Sequence, residues 1–135
     1  MTLVDSNVLI DVFADDPRWF NWSTTQLREA ALSGPLLIND VVYAATSIRY
    51  RSIERFDAAL VSAGVTVVQT PRAALFFAGK AFARYRDAGG ARTGVLPDFF
   101  IGAHADVERL PLLTRDARRY RHYFPAVALI APEES

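Results

Sequence analysis

Short apolar runs alternate with helical patterns along this chain. The runs Thr2–Asp5, Leu36–Ile38, Val65–Val68 and Leu112–Thr114 are largely continuous, and Val127–Ile130 is a possible fifth. A strand that is apolar on both sides has both of its faces covered, which is typical of a parallel sheet packed between helices. The sequence therefore predicts an α/β fold of three layers, with a central, mostly parallel sheet of four or five strands and helices on both faces.

Residue types that start or end helices lie between these runs. Pro17 suits the first turn of a helix that runs to Ser33, and Pro97 opens another helix through about Val107. From Pro71 onward, the spacing of the apolar residues predicts an amphipathic helix of about four turns. Further helices are predicted from Ser6-Asn7, from Asn39 or Asp40, from about Ser52 to Gly64, and over Ala117–Tyr123.

Length and composition narrow the class of protein. A chain of 135 residues with 51% hydrophobic residues is expected to form a single domain over residues 1–135. It contains no cysteine, which excludes disulfides, zinc-thiolate sites and cysteine nucleophiles. The first residues carry neither a basic lead nor a long apolar run, and no stretch approaches the roughly 18 apolar residues of a membrane span. A cytoplasmic protein is expected.

Charge is balanced overall but unevenly distributed. Fifteen basic residues match fifteen acidic ones, yet the first sixteen residues hold four aspartates and no base. Segments 72–92 and 115–121 are rich in arginine, the side chain that suits bidentate phosphate contacts. This distribution favours metal and phosphate chemistry, although a solvated arginine-rich face is the plain alternative.

Three aspartates stand where the fold class predicts chemistry. Asp5 closes the first strand, Asp116 follows the fourth, and Asp98 occupies the first turn of the helix opened by Pro97. Ligands of open α/β sheets bind beyond the carboxyl ends of the strands. Carboxylates that meet there need a cation such as Mg²⁺ or Mn²⁺, and this arrangement is typical of metal-assisted phosphate-ester hydrolysis. Taken singly, each aspartate also has a structural interpretation as a helix cap, a turn residue or an acid at a helix N-terminus.

Four segments resemble the motif blocks of PIN-domain ribonucleases, and most of all the VapC-type toxins of bacterial toxin–antitoxin modules: LVDSNVLIDVF, INDVVYA, GVLPDFFIGAHA and LLTRDARRYRHYFP. The resemblance implies a PIN-like fold and a metal-dependent endoribonuclease with four acidic positions around one or two Mg²⁺ or Mn²⁺ ions. It places Asp5, Asp98 and Asp116 at three of those positions. Asn7 and Thr114 match the polar residues that support the site.

The second acidic position of the resembled family is missing. The family's string reads roughly VVYAE, and this chain has Ala45 in place of the glutamate, while Asp40 lies more than a turn away. Two explanations are open: a natural weakened or inactive member, or a deliberate replacement by alanine, which the otherwise intact motifs favour. Because loss of one acid weakens metal binding, the chain is expected to be nearly or wholly inactive.

A different class of function stays open on the same fold. The alternative is a catalytically dead PIN-fold protein that binds RNA or an antitoxin, with Ala45 native to it. A receiver-like phosphorylation domain is disfavoured, because Lys80 is the only lysine and the third strand ends without an aspartate.

The resemblance also implies an RNA substrate, a VapB-like antitoxin and a homodimer. Arg84, Arg86 and Arg92 are candidates for contacts with RNA phosphates. Three aromatic residues lie within four consecutive positions: Trp19, Phe20 and Trp22. One helix face cannot bury all of them in its own core, so at least one is expected to be exposed or covered by a partner. The remaining candidates are expected to be structural or surface residues: His104, His122, and a solvated helix end of Asp11, Asp15 and Asp16.

Overall fold

The computed structural model describes residues 1–91 and 95–133. Within them, five strands form one sheet in the order β3-β2-β1-β4-β5, and every neighbouring pair is parallel. This confirms the predicted sheet. The strands are β1 (Thr2–Val4), β2 (Leu36–Asn39), β3 (Val65–Val68), β4 (Leu112–Leu113) and β5 (Leu129–Ile130).

Seven helices connect these strands in the described part of the chain. They are α1 (Ser6–Phe13), α2 (Phe20–Ser33), α3 (Asp40–Ser47), α4 (Ile53–Ser62), α5 (Arg72–Asp87), α6 (Leu96–Glu108) and α7 (Arg118–Tyr123). Crossovers between parallel strands are right-handed. The chain moves from β1 outward to β2 and β3, and after β3 it crosses back to the other side of β1 to form β4 and β5. The helices α1–α4 and α5–α7 therefore cover opposite faces of the sheet. None of the described helices combines the length and the hydropathy that a membrane crossing requires.

The central strands are covered on both faces. β1 and β2 are buried along their whole length, and Leu3, Val4 and Ile38 have no exposed surface. This burial on both faces explains why the strands appear in the sequence as continuous apolar runs. β3 is an edge strand, and only its first residue, Val65, is buried.

Helix α2 begins later than Pro17 predicts. Residues 17–19 form a turn, and the first helical residue is Phe20. The Asp16 carboxylate accepts hydrogen bonds of 2.9 Å from the backbone N–H groups of Arg18 and Trp19. This side chain satisfies N–H groups that an earlier helix start would leave open, so the chain makes a capped turn before the helix becomes regular. At the start of α3 the capping residue is Asn39, whose Oδ1 accepts from the Val42 N–H at 2.9 Å.

We expect Gly102→Ala to destabilise the protein. A Cβ at Gly102, in α6, would lie 2.4 Å from Cδ2 of Phe124, which is itself buried against Phe99. Overpacking of this kind costs about 1–3 kcal/mol. The measurement is the urea midpoint of unfolding.

Gly79→Ala is the matched control, because Gly79 also lies inside a helix, α5, and a Cβ there meets nothing within 4 Å. Replacing glycine by alanine at such a position should stabilise the protein by up to about 1 kcal/mol. A shift of both midpoints in the same direction would contradict the packing described for Gly102.

Candidate active site

The site lies where the sheet changes its winding direction. From β1 the chain winds outward to β2 and β3, and from β4 it winds to β5 on the other side. The carboxyl ends of β1 and β4 therefore border the crevice in which open α/β sheets bind their ligands. Asp5 follows β1, and the segment Thr114–Asp116 follows β4.

Asp5 is buried, with 3% of its surface exposed. Its Oδ2 accepts hydrogen bonds from the Tyr120 hydroxyl at 2.8 Å and the Thr114 hydroxyl at 2.9 Å, and a longer one of 3.4 Å from Nδ2 of Asn7. Its Oδ1 accepts a long hydrogen bond of 3.4 Å from the Ser6 hydroxyl, and the Ser6 backbone N–H also interacts with the carboxylate. The shortest hydrogen bonds from the described residues thus hold Oδ2, and Oδ1 has weaker contacts.

Asp98 lies in the first turn of α6 and is in electrostatic contact with the other acids. Burial raises the pKa of Asp98 to about 6, and the negative charges of Asp5 and Asp116 add to the rise. The Arg119 guanidinium opposes this effect, because its Nη1 donates to Oδ2 of Asp98 at 2.5 Å. Arg119 is therefore the counter-ion of Asp98.

Asp116 is positioned by its backbone. Its N–H donates to the Thr114 hydroxyl at 3.1 Å, the same hydroxyl that donates to Asp5. The Asp116 side chain is exposed, and no described side chain donates to its carboxylate. Thr114 thus links the acid after β1 to the acid after β4.

These residues match a divalent metal in the kind of ligand they offer. Asp5 has an oxygen without a strong donor, the Asp116 carboxylate is open, and Asp98 senses both charges. Carboxylate oxygens are the ligands that Mg²⁺ and Mn²⁺ prefer. They do not form a ready cage, because within residues 1–91 and 95–133 no three acidic or histidine side chains are grouped closely enough to hold a metal ion.

The position of the missing acid borders this site. Ala45, in α3, is half-buried and lines one groove together with Leu96 and Pro97 from the start of α6, the turn that carries Asp98. Asp40 does not replace the missing acid. Its Oδ1 accepts hydrogen bonds from the Thr70 N–H at 3.2 Å and from the Thr70 hydroxyl.

Sequence reasoning missed two residues of the site, Tyr120 and Arg119. Tyr120 is buried, and its pKa is raised well above 10 by burial and by Asp5, so its hydroxyl stays a hydrogen-bond donor. Both residues lie in the Arg/Tyr-rich segment after Asp116, which the sequence presents only as a charged helix. No local pattern marks Tyr120 as part of the site, because its partner Asp5 is 115 residues away in the chain.

The expectation of a solvated helix end is wrong for Asp11. This side chain is 1% exposed and makes a bidentate ion pair with Arg115, with Nε–Oδ2 at 2.8 Å and Nη2–Oδ1 at 3.0 Å. The Ser23 hydroxyl donates to Asp11 at 2.8 Å. Burial is possible because both carboxylate oxygens accept hydrogen bonds, Oδ1 from Arg115 and Oδ2 from Arg115 and Ser23. Arg115 thereby ties the segment before Asp116 to α1 and α2.

The three aromatic residues at the start of α2 are each half-buried, and none is fully exposed. Trp19 and Trp22 pack edge to face with ring centroids 6.0 Å apart, and the Arg115 guanidinium carbon lies 5.2 Å from the Trp19 ring centroid. Intramolecular contacts thus cover much of this surface, and a partner contact of Trp19, Phe20 and Trp22 stays a prediction.

Two of the three arginines proposed for phosphate contacts lie at the end of α5. Arg84 and Arg86 are exposed in the last turn of α5, on either side of Tyr85. Arg92 lies outside the described residues. Their role with RNA stays a prediction.

Neither histidine joins the acids. His104 is 3% exposed and accepts through Nδ1 from Nδ2 of Asn39 at 3.1 Å, and burial lowers its pKa. It is a neutral structural residue. His122 is exposed on α7. The expectation that both are structural or surface residues is confirmed.

Comparisons with known proteins agree with this architecture. A family model, the PIN domain, matches residues 2–125. The chain is similar in structure to VapBC2 from Rickettsia felis bound to a DNA fragment from their promoter, with 14% identity, 98% of each chain covered and a TM-score of 0.71. It is also similar to DNA-bound VapBC from Salmonella typhimurium, with 17% identity, 97% of this chain and 98% of that chain covered and a TM-score of 0.70.

FitAcB from Neisseria gonorrhoeae gives 16% identity, 96% of both chains covered and a TM-score of 0.65. At these identities the likeness is one of fold. Among curated proteins, no relative matches significantly.

We expect Asp98→Asn to stabilise the metal-free protein at pH 7.5. A carboxyl whose pKa rises from 3.8 unfolded to about 6 folded makes stability fall as pH rises through that interval, and the full penalty persists above it. Asparagine carries no charge and escapes the penalty. The gain should be about 1–2 kcal/mol once solvent screening is allowed for, and it should vanish near pH 4.

Urea unfolding in EDTA at pH 7.5 and pH 4 measures this difference. Asp106→Asn, an exposed aspartate on the same helix, is the control and should change stability by less than about 0.5 kcal/mol. A loss of stability in Asp98→Asn at pH 7.5 would mean that the ion pair with Arg119 outweighs burial.

Proposed function

Because this chain belongs to the PIN domain family, we propose that it is a VapC-type toxin, a metal-dependent endoribonuclease that hydrolyses RNA phosphodiesters and is disarmed at position 45. The observation that carries this proposal is the group of acids at the switch point of the sheet. Asp5 is buried there with one oxygen fixed by donors, and Asp98 and Asp116 lie close enough to influence each other electrostatically.

The structural neighbours support the toxin class and its protein partner. Proteins of this fold include VapBC from Rickettsia felis and Salmonella typhimurium and a toxin–antitoxin complex from Klebsiella pneumoniae. We propose that this chain also binds a VapB-like antitoxin and forms a homodimer. An RNA substrate and a location in the bacterial cytoplasm are part of the same proposal.

Asp5, Asp98 and Asp116 would hold one or two Mg²⁺ or Mn²⁺ ions. When bound, such an ion supplies a water of lowered pKa and stabilises negative charge on a phosphodiester. The chain's own contribution is orientation: Tyr120 and Thr114 fix one oxygen of Asp5, and Thr114 also holds the backbone of Asp116. Asn7 donates weakly to the same Asp5 oxygen.

Arg119 has two roles in this proposal, as the counter-ion of Asp98 and as a contact for phosphate. It neutralises Asp98 while the two are paired. If Asp98 held a metal, the Arg119 guanidinium would be free to contact a phosphate of the substrate.

Ala45 explains why activity should be low. Its methyl group borders the turn that carries Asp98 and offers no oxygen to a metal. The same observation favours the second candidate function, a catalytically dead PIN-fold protein that binds RNA or an antitoxin.

We expect Ala45→Glu to restore metal-dependent RNA cleavage, because it returns a carboxylate to the border of the acidic site. The gain over the chain as it stands should be at least 10- to 100-fold, the size of effect that even supporting residues have at metal sites. The assay follows cleavage of single-stranded and structured RNAs with Mg²⁺ or Mn²⁺.

Three controls define the result. EDTA and Asp98→Ala in the Ala45→Glu background should each abolish cleavage. Ser47→Glu adds the same carboxylate two positions away, about 200° around the helix and outside the groove that Ala45 lines, and should restore nothing. If Ala45→Glu stays inert on every RNA while the protein still binds RNA, the nuclease proposal fails and the binding function replaces it.

A further inference from the structure

A cleft of about 430 Å³ adjoins the acidic site. Helix α7 and the last turn of α5 form its walls, and its lining residues are Tyr85, Asp116, Arg118, Arg119, His122 and Tyr123. Asp116 belongs both to the cleft and to the acids, and Arg119 connects them by its ion pair with Asp98. The cleft is therefore continuous with the proposed site of chemistry.

Helix α7 presents two rows of side chains to this cleft. Arg118 and His122 are four residues apart on one row, and Arg119 and Tyr123 on the next, so each pair lies on one face of the helix. Tyr120 points the other way, into the core, and is 2% exposed. Tyr120 thus anchors α7 to the core. The cleft is lined from this helix by Arg118, Arg119, His122 and Tyr123.

The cleft combines aromatic rings with cations. The His122 and Tyr123 ring centroids are 4.6 Å apart, and those of Tyr85 and Tyr123 are 6.2 Å apart. The Arg119 guanidinium carbon lies 5.9 Å from the Tyr85 ring centroid. Aromatic rings beside guanidinium groups are the combination with which proteins bind single-stranded nucleic acid, since rings stack on bases and arginines contact phosphates.

We propose that this cleft binds one nucleotide of a single-stranded RNA next to the acidic site, with Arg118 on its phosphate and His122 and Tyr123 against its base. The proposal rests on the proposed function in taking RNA as the substrate. The volume lies within the roughly 300–1,000 Å³ of sites for ligands of nucleotide size.

An acidic protein segment is the competing ligand for these cations. The Asp116 carboxylate in the cleft wall repels a peptide carboxylate and a phosphate alike, so this charge does not separate the two ligands. The aromatic wall does separate them, because a nucleotide has a base that can stack on a ring, whereas an acidic side chain does not. The rings therefore favour RNA.

The test is fluorescence anisotropy of a labelled single-stranded oligoribonucleotide with the chain as it stands, in EDTA, so that neither cleavage nor metal contributes. Arg118→Ala should weaken binding several-fold and lower the slope of log K against log salt by about 0.7, the change expected for one lost phosphate contact with a single strand. His122→Ala should weaken it at least about fivefold, and His122→Tyr should restore it, because a ring is what the base needs.

Arg72→Ala is the matched control. Arg72 is an exposed arginine at the other end of α5, roughly 20 Å along the helix from Tyr85, and its removal changes the net charge as Arg118→Ala does. It should leave affinity unchanged. Equal weakening by Arg72→Ala and Arg118→Ala would show that overall charge holds the RNA and would overturn the proposal.

Three other results would also overturn it: no RNA binding by the unmodified chain, no rescue by His122→Tyr, or a poly-glutamate peptide that competes as well as an unlabelled RNA of equal charge. The last would identify an acidic protein segment as the ligand. If Ala45→Glu fails to cleave while the cleft variants lose RNA, only the nuclease proposal fails. If it cleaves while they bind RNA normally, only the cleft proposal fails.

Discussion

The site depends on how a buried carboxylate is satisfied. Asp5 has almost no contact with water, and an ionised carboxylate in such a place needs donors from the protein. Tyr120 from α7 and Thr114 from the end of β4 supply them. These bonds fix where α7 docks and where the chain leaves β4. The positions of Arg119, on the same helix, and of Asp116, two residues after Thr114, follow from them.

Electrostatic repulsion among the acids affects Asp98 and bears on the residue at position 45. Burial raises the pKa of Asp98, the charges of Asp5 and Asp116 raise it further, and Arg119 is the local counter-ion. A glutamate at position 45 would add another like charge beside the same turn, with no further described cation paired to these acids. Under the proposed function, Ala45 removes this repulsion together with one metal ligand, so the metal-free protein should tolerate its remaining acids better than a chain with all four.

Much of this arrangement is visible in the sequence because it has local causes. Continuous apolar runs predict strands buried on both faces, and the rule for strand ends then selects Asp5 and Asp116. Pro97 marks the helix start that holds Asp98. The pair of Asp11 with Arg115 and the bond from Tyr120 to Asp5 join residues 104 and 115 positions apart. No local pattern distinguishes such partners from solvated ones, since only the strand order brings them together.

The hydrogen bonds to Asp5 also determine at what stage of synthesis the site can form. Its strongest donors stand 109 and 115 residues later in the chain. During synthesis, the first strand and its carboxylate emerge long before Thr114 and Tyr120, and contacts of such sequence separation form late. The acids cannot come together on a ribosome-bound fragment that ends before α7. The site of such a chain is complete only after the segment that forms α7 has been made.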